Sequence, residues 1–500
     1  MRTLTLQGSY NLENNLRAIL PYIPQLRQLN LQTHWTQSFE RNTLVSLGAI
    51  FENAAQLKTL QLGDNISLSF SRNGPSPTNG STTSLSPQLN ESLACQNARG
   101  LVSLDVVDVK LNAQQLLGLS EYFPNLQTLK FDISPISISM DQYQNTKSVS
   151  AMKPPGYASN SQAFARDIAM SWPKLCDISI RYNEDRFKSG SIEAARLHTR
   201  DIVAELAPRL SSLDIWSELL HHELLDSLTR GECTLKKFVS IPRTHTNDAV
   251  PHDAFIHFLR NCSTLEIVDI GSALNLNLFD RNVSTQYLTP PTTPNLTPPS
   301  TPYFSFPPTS YPTMLWLQQP WACSNLKYVD LSLIYPQAAH KCYSQEEFRL
   351  CDNLYKQLAR LTRLRVLCIK GTYYLPNDLK NSGFYQLASL KELRAISVCF
   401  FQDEDSLSDC KSQVPKDGRT TESSEDEVVG FLRRKDLEWM VGQWPSIKLL
   451  EFRGSFHNDV ELKEAQHWVN ETTGRSGKIT LSDGRNSFIP SVRESLGLEY

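Results

Sequence analysis

The hydrophobic positions of this chain follow one short frame. In residues 20–32, "LPYIPQLRQLNLQ", leucines stand at 26, 29 and 31, a spacing of L-x-x-L-x-L. The frame recurs, with conservative apolar replacements, at Leu57/Leu60/Leu62, Leu101/Leu104/Val106, Leu126/Leu129/Phe131, Leu175/Ile178/Ile180 and Leu210/Leu213/Ile215. It continues through Leu235/Phe238, Leu265/Val268/Ile270, Leu326/Val329/Leu331, Leu364/Leu367/Ile369, Leu393/Ile396/Val398 and Ile447/Leu450/Phe452, and Met1/Leu4/Leu6 fits it as well. Side chains of a strand alternate faces, so the second and third apolar residues point into a core while the residue between them points out. Each frame therefore predicts a short strand with one buried face. The stretches between frames suit helices, as in "SIEAARLHTRDIVAELAP" (191–208) and "EEFRLCDNLYKQLARL" (346–361). Several end in an aromatic or small residue plus proline (Phe123-Pro124, Trp172-Pro173, Ala207-Pro208, Trp444-Pro445), which stops a helix and extends the residue before it.

The repeat spacing sets the fold class. Where no insertion intervenes the frame returns after 25 residues (Met1 to Leu26, Leu101 to Leu126, Leu210 to Leu235) or 29 (Leu364 to Leu393). That period matches the leucine-rich repeat, a strand followed by a helix. One L-x-x-L-x-L would carry no weight in a leucine-rich helical protein; a dozen in order predict an α/β leucine-rich-repeat solenoid, or horseshoe, of 12–13 irregular strand-helix repeats spanning residues 1–500.

Four segments break the period: 66–97, 133–159, 275–319 and 402–427. The first two are polar and rich in Ser, Asn, Pro and Gly, and are expected to be disordered loops. The third contains "LTPPTTPNLTPPSTP", whose proline density forbids helix or central strand and predicts an extended surface loop. Its threonines Thr289, Thr293, Thr297 and Thr301 each precede proline, the minimal local signal of proline-directed kinases. Ser423 and Ser424, ahead of Glu425-Asp426-Glu427 in the acidic fourth segment, suit an acidophilic kinase. Each phosphate would add roughly −1.5 to −2 charges; the competing reading is a drifting low-complexity loop with no role.

Composition narrows the function classes. A formal net charge of −3 over 500 residues gives no global drive toward nucleic acid, and the longest clearly basic cluster, Arg433-Arg434-Lys435, reads as a solvated helix face. The ten cysteines form no CxxC pair and no Cys/His cluster at zinc spacing, which favours free thiols in a reducing compartment. With no apolar leader and no long apolar run, the chain is expected in cytoplasm or nucleus, away from membrane. No phosphate-cradling glycine loop, nucleophile elbow or H-E-x-x-H occurs, and the adjacent His221 and His222 lack an acid at metal spacing. An open solenoid also lacks an enclosed pocket. The chain is expected to be no enzyme, and no catalytic, cofactor or metal residues are assigned.

Function is expected on the strand residues that point out, because these stack from repeat to repeat and line the concave face of a solenoid. The residue between the second and third apolar positions is Asn30, Gln61, Asp105, Lys130, Ser179, Asp214, Val239, Asp269, Asp330, Cys368, Ser397 and Glu451 in turn. Acids take five of these twelve places, with Arg181, Trp216, Tyr328 and Lys370 nearby. An acidic stripe with occasional aromatics fits a groove for a basic protein segment, with Asp105, Asp214, Asp269, Asp330 and Glu451 as its acids and Trp216 and Tyr328 as anchors. The alternative is a charged strand face that only keeps the molecule soluble.

The long irregular repeats, the helix-to-proline punctuation and "DLEWMVGQWPSIKLLEF" (436–452) resemble the ribonuclease-inhibitor-like leucine-rich repeat region of fungal F-box proteins. The resemblance covers most of the chain. It implies protein recognition, with the repeats holding a substrate for an SCF-type ubiquitin ligase whose Skp adaptor and cullin are reached through an F-box. Met1 already fits a repeat and no F-box-like segment of about 45 residues stands ahead of it, so the alternative is a free-standing repeat scaffold or regulator.

Overall fold

A computed structural model describes residues 2–7, 12–32, 43–63, 66–69, 93–136, 160–183, 192–230, 233–241, 252–270, 275–277, 320–334, 345–370, 383–399, 428–429, 432–453, 459–474 and 479–482. The chain divides into two compact units, Met1–Asp248 and Ala249–Tyr500.

In the first unit the frames become strands β1 (Thr3–Gln7), β2 (Gln28–Gln32), β4 (Thr59–Leu62), β6 (Ser103–Val106), β7 (Thr128–Asp132), β8 (Asp177–Arg181), β9 (Ser212–Trp216) and β10 (Lys237–Ile241). They pair in that order, every pair parallel. Between them run α1 (Leu12–Ile19), α2 (Leu47–Asn53), α3 (Leu93–Ala98), α4 (Ala113–Tyr122), α5 (Asn160–Ser171), α6 (Ile192–Leu206) and α7 (His222–Thr229). The frame leucines set the register: Leu4 faces Leu29, Leu29 faces Leu60, and the column continues through Leu104, Leu129, Ile178, Leu213 and Phe238. A one-residue slip would turn the whole column to the other face, so burial of these side chains locks the ladder.

The second unit repeats the plan with β11 (Ile267–Asp269), β13 (Tyr328–Ile334), β14 (Val366–Lys370), β15 (Ala395–Cys399), β18 (Leu449–Arg453) and β19 (Thr480–Ser482), again parallel. Its helices are α8 (His252–Asn261), α9 (Gln345–Ala359), α10 (Arg434–Gln443) and α11 (Asp459–Thr473). Both units are thus α/β solenoids of leucine-rich repeats. The carbonyl just before each strand accepts two N–H groups from the next repeat: Val102 O takes Gln127 N at 2.8 Å and Thr128 N at 3.0 Å, and Arg365 O takes Arg394 N at 2.7 Å and Ala395 N at 3.1 Å.

Local chemistry explains the helix boundaries. Asn112 and Gln115 form a reciprocal capping box at the start of α4, with bonds of 2.8 and 3.0 Å. At helix ends before proline the aromatic turns inward: Phe123, Trp172 and Trp444 are essentially fully buried. Their N–H groups close the last helical turn onto Leu119, Ile168 and Met440, and their carbonyls accept from the first frame residue, Leu126, Leu175 and Ile447.

Three insertion margins are regular, contrary to the sequence expectation. Ile66–Ser69 (β5) pairs in parallel with Thr43–Ser46 (β3), Leu93–Ala98 is helical, and Asn275–Asn277 (β12) pairs with the far end of β13. Alternating or short apolar stretches there satisfy backbone groups that a polar reading of the whole insertion overlooked. At 133–136 the chain also stays packed, with Ile133 and Ile136 fully buried. A short antiparallel pair, β16 (Val428–Val429) with β17 (Leu432–Arg433), follows the fourth insertion. The remaining insertion residues lie outside the described residues.

Gly383 takes φ +78°, and a Cβ placed there would lie 2.9 Å from the Asp352 Cα on α9. Both the left-handed backbone and the backbone contact oppose a side chain, so Gly383→Ala is expected to destabilise by about 1–3 kcal/mol, read from the urea midpoint.

Candidate functional site

Strand alternation places three columns of side chains on the sheet face opposite the buried frame residues. In the first unit the central column is Asn30, Gln61, Asp105, Lys130, Ser179, Asp214 and Val239, each in register with the next. Beside it run Gln28, Thr59, Ser103, Thr128, Asp177, Ser212 and Lys237, in the same register. The third column brings Asp132 beside Arg181 and continues to Trp216 on β9.

The charges of this face are organised in pairs. Lys130 Nζ lies 3.7 Å from Asp105 Oδ2, and Val107 N donates to Asp105 Oδ1 at 3.3 Å. Arg181 Nη2 lies 2.9 Å from Asp214 Oδ2, which also accepts from Ser179 Oγ at 3.1 Å. The same guanidinium stands 5.8 Å from the Trp216 ring centroid, within cation–π range. Thr128 Oγ1 donates to Asp177 Oδ2 at 3.4 Å. One arginine therefore fixes both an acid and the indole face, holding Trp216 half-buried at the rim of the charged cluster.

Burial raises the pKa of Asp105, Asp177 and Asp214 above the ordinary carboxylate value of 3.8, and outweighs Lys130 beside Asp105, the Thr128 hydroxyl beside Asp177 and Arg181 beside Asp214. The folded protein then holds protons that the unfolded chain has released. These groups therefore lower stability as pH rises from about the unfolded value of 3.8 through the raised folded values. Asp105→Asn/Asp214→Asn is expected to remove the share of that decline due to these two groups, leaving that of Asp177: the difference in unfolding free energy between variant and wild type should shift in favour of the variant as pH rises across that interval. A pH-independent difference would refute it.

In the second unit the predicted central column is also in register: Asp269, Asp330, Cys368, Ser397, Glu451 and then Ser482. Its environment differs. The neighbouring column is Ile267, Tyr328, Val366, Ala395 and Leu449, and all but Ile267 are buried in one apolar cluster. Asp269, Asp330 and Glu451 are buried with them, at 8, 1 and 0% exposure, where the sequence expectation had them outward on a solvated stripe. An apolar neighbour column lines this part of the face, and one oxygen of each of two buried acids has a polar partner: Ser397 Oγ donates to Glu451 Oε1 at 2.8 Å and Tyr328 Oη to Asp330 Oδ2 at 3.5 Å.

The seven predicted face residues thus fall into two settings. Asp105, Asp214 and Trp216 share one partly exposed charged cluster; Asp269, Tyr328, Asp330 and Glu451 share a buried one. Lys130, Ser179 and Arg181 stood in the predicted columns but were not singled out, and Asp177 and Lys237 were missed. The adjacent column, one residue before each second frame position, would have supplied both. Thr289, Thr293, Thr297, Thr301, Ser423 and Ser424 lie outside the described residues. Among the described residues no three His, Cys, Asp or Glu side chains gather as a metal site, and no helix is long and apolar enough to cross a membrane.

No protein-family model matches the chain, and no curated protein matches it by sequence. Among solved structures it is similar to that of Rad7 and Elc1 from yeast, at 13% identity and TM-score 0.36 over 94% of this chain and 87% of the other. An internalin from Listeria monocytogenes is similar at 12% identity and TM-score 0.29, over 93% of this chain and 83% of that one. The fold assignment rests on the strand ladder and its register.

Proposed function

We propose that the chain is a protein-interaction module whose partner docks on the exposed sheet face of the first unit, around Asp105, Lys130, Arg181, Asp214 and Trp216. The observation that carries this reading is the in-register column of polar and charged side chains, partly exposed at Asn30, Gln61, Asp105, Lys130 and Asp214, beside an indole that Arg181 supports. Because Lys130 and Arg181 already balance Asp105 and Asp214, the surface favours a partner segment that offers both signs of charge over a purely basic one.

The finer reading is substrate selection for an SCF-type ubiquitin ligase, supported by the resemblance of residues 436–452 and of the repeat punctuation to fungal F-box proteins. Affinity capture from native lysate, read by mass spectrometry, tests both levels. The intact protein is compared with Arg181→Asp/Trp216→Ala and with Tyr22→Ser, which changes an exposed residue away from this face. A protein recovered by the intact chain and by Tyr22→Ser, but not by the face variant, supports docking; a capture profile identical for all three sinks it. Recovery of Skp adaptor and cullin with all three supports the ligase role. Their absence, with a face-dependent partner present, leaves a free-standing scaffold.

A further inference from the structure

The edge of the second unit where its strands begin carries a ladder of like charges. The residue just ahead of each strand is Glu266, Lys327, Arg365, Arg394 and Lys448 in turn. The backbone stacks them row on row, since Lys327 N donates to Glu266 O, Arg365 N to Lys327 O, Arg394 N to Arg365 O and Lys448 N to Arg394 O, all at 2.7–2.8 Å. Four cations therefore occupy four adjacent rows, separated by roughly the 4.8 Å spacing of neighbouring strands. Arg363 and Lys391 flank the ladder, their side chains donating to Asn325 Oδ1 and to the Gln443 carbonyl, and neither has a carboxylate partner among the described residues. In the first unit the equivalent series, Arg2, Arg27, Lys58, Val102, Gln127, Cys176, Ser211 and Lys236, opens with a run of three and then turns neutral until Lys236.

Two of the four cations have a carboxylate: Glu266 for Lys327 and Glu392 for Arg365. Arg394 and Lys448 have none among the described residues, and Lys448 is exposed. Like charges opposite each other on adjacent strands destabilise a sheet. Helix C-termini at this edge supply some negative potential, but that effect falls off within one turn and does not call for cations in four successive rows.

We propose that this edge is a second docking surface, independent of the face of the first unit, and that its occupant is an acidic segment of a partner protein. Guanidinium groups pair bidentately with carboxylates, and consecutive Asp or Glu side chains of an extended peptide reach several rows at once. No aromatic side chain interleaves the ladder, so the stacking platform that single-stranded nucleic acid uses is lacking among these residues.

The test is fluorescence anisotropy of the full chain with a fluorescein-labelled oligoglutamate peptide, at low and at physiological salt. Saturable binding that weakens with salt is expected, with affinity falling by at least about tenfold in Arg394→Glu/Lys448→Glu, a charge-pair-sized loss. Lys463→Glu on α11 should bind like the intact chain, and the reversed variant should take up an oligolysine peptide that the intact chain does not. If the reversed variant folds poorly by circular dichroism, Arg394→Gln/Lys448→Gln replaces it, with the same direction expected. The proposal fails if oligoglutamate does not bind, if the ladder variants bind it as well as the intact chain does, or if a single-stranded oligonucleotide of equal charge binds more tightly.

Discussion

Replacing Trp444 by alanine is expected to lower the unfolding free energy of the second unit by about 3–5 kcal/mol, the usual range for a large buried aromatic. The indole is fully buried, packs edge-on against Phe384 at 6.0 Å and Trp439 at 5.7 Å, and donates from Nε1 to the Leu387 carbonyl at 2.9 Å. Phe384 in turn meets Tyr355 at 5.5 Å, so the ring ties three successive repeats together. Alanine leaves a cavity and removes one of the two donors to the Leu387 carbonyl, which keeps the Leu390 N–H at 3.0 Å, so the lost hydrogen bond adds only about 0.5–1.5 kcal/mol. Trp444→Phe should recover most of the packing but not that hydrogen bond. Urea unfolding followed by circular dichroism reads both variants. A midpoint for Trp444→Ala within error of wild type would show that the aromatic before proline is dispensable punctuation. A changed slope would instead show that repeats on either side of the cavity have uncoupled.

The second large effect is expected on partner affinity. For a partner recovered by face-dependent capture, Trp216→Ala and Arg181→Ala should each weaken binding by about 2–4 kcal/mol, the magnitude of a central aromatic or arginine anchor. Arg181 should act partly through others, because its removal frees the indole and leaves Asp214 without its counterion. A double-mutant cycle of Arg181→Ala with Asp214→Ala, measured by calorimetry, should show coupling of about 1–3 kcal/mol; additive losses would mean that the ion pair does not present the surface as one unit. Full affinity in Trp216→Ala would remove this face from the interaction.

Much of the architecture could be read from residue spacing. The frame at Leu26/Leu29/Leu31 and its recurrences predicted every ladder strand through β18, because a period-2 apolar pattern has only one register that buries it. The register of the column between the frame positions followed as well, from Asn30 to Val239 and from Asp269 to Glu451, although its second half is buried rather than outward. Proline after Phe123, Trp172 and Trp444 marked helix ends, since a missing N–H and a clash with the preceding turn are local effects. The margins at Ile66–Ser69 and Leu93–Ala98 were lost inside polar insertions, where a short element depends on what it packs against.

The candidate site was legible in position but not in environment. Sequence alone determined which side chains share a column, since that follows from strand geometry and repeat length. Whether a column meets solvent was decided by its neighbours in three dimensions. Asp214 and Asp330 hold the same place in the frame, yet Asp214 sits among Ser179, Arg181 and Lys237 on a half-exposed face, while Asp330 lies against Tyr328, Val366 and Cys368 in a closed apolar cluster. Pairing was likewise a tertiary matter: residues 105 and 130, or 181 and 214, become ion pairs only when the ladder sets adjacent repeats one strand apart, a distance at which Coulomb attraction between partly desolvated groups becomes appreciable.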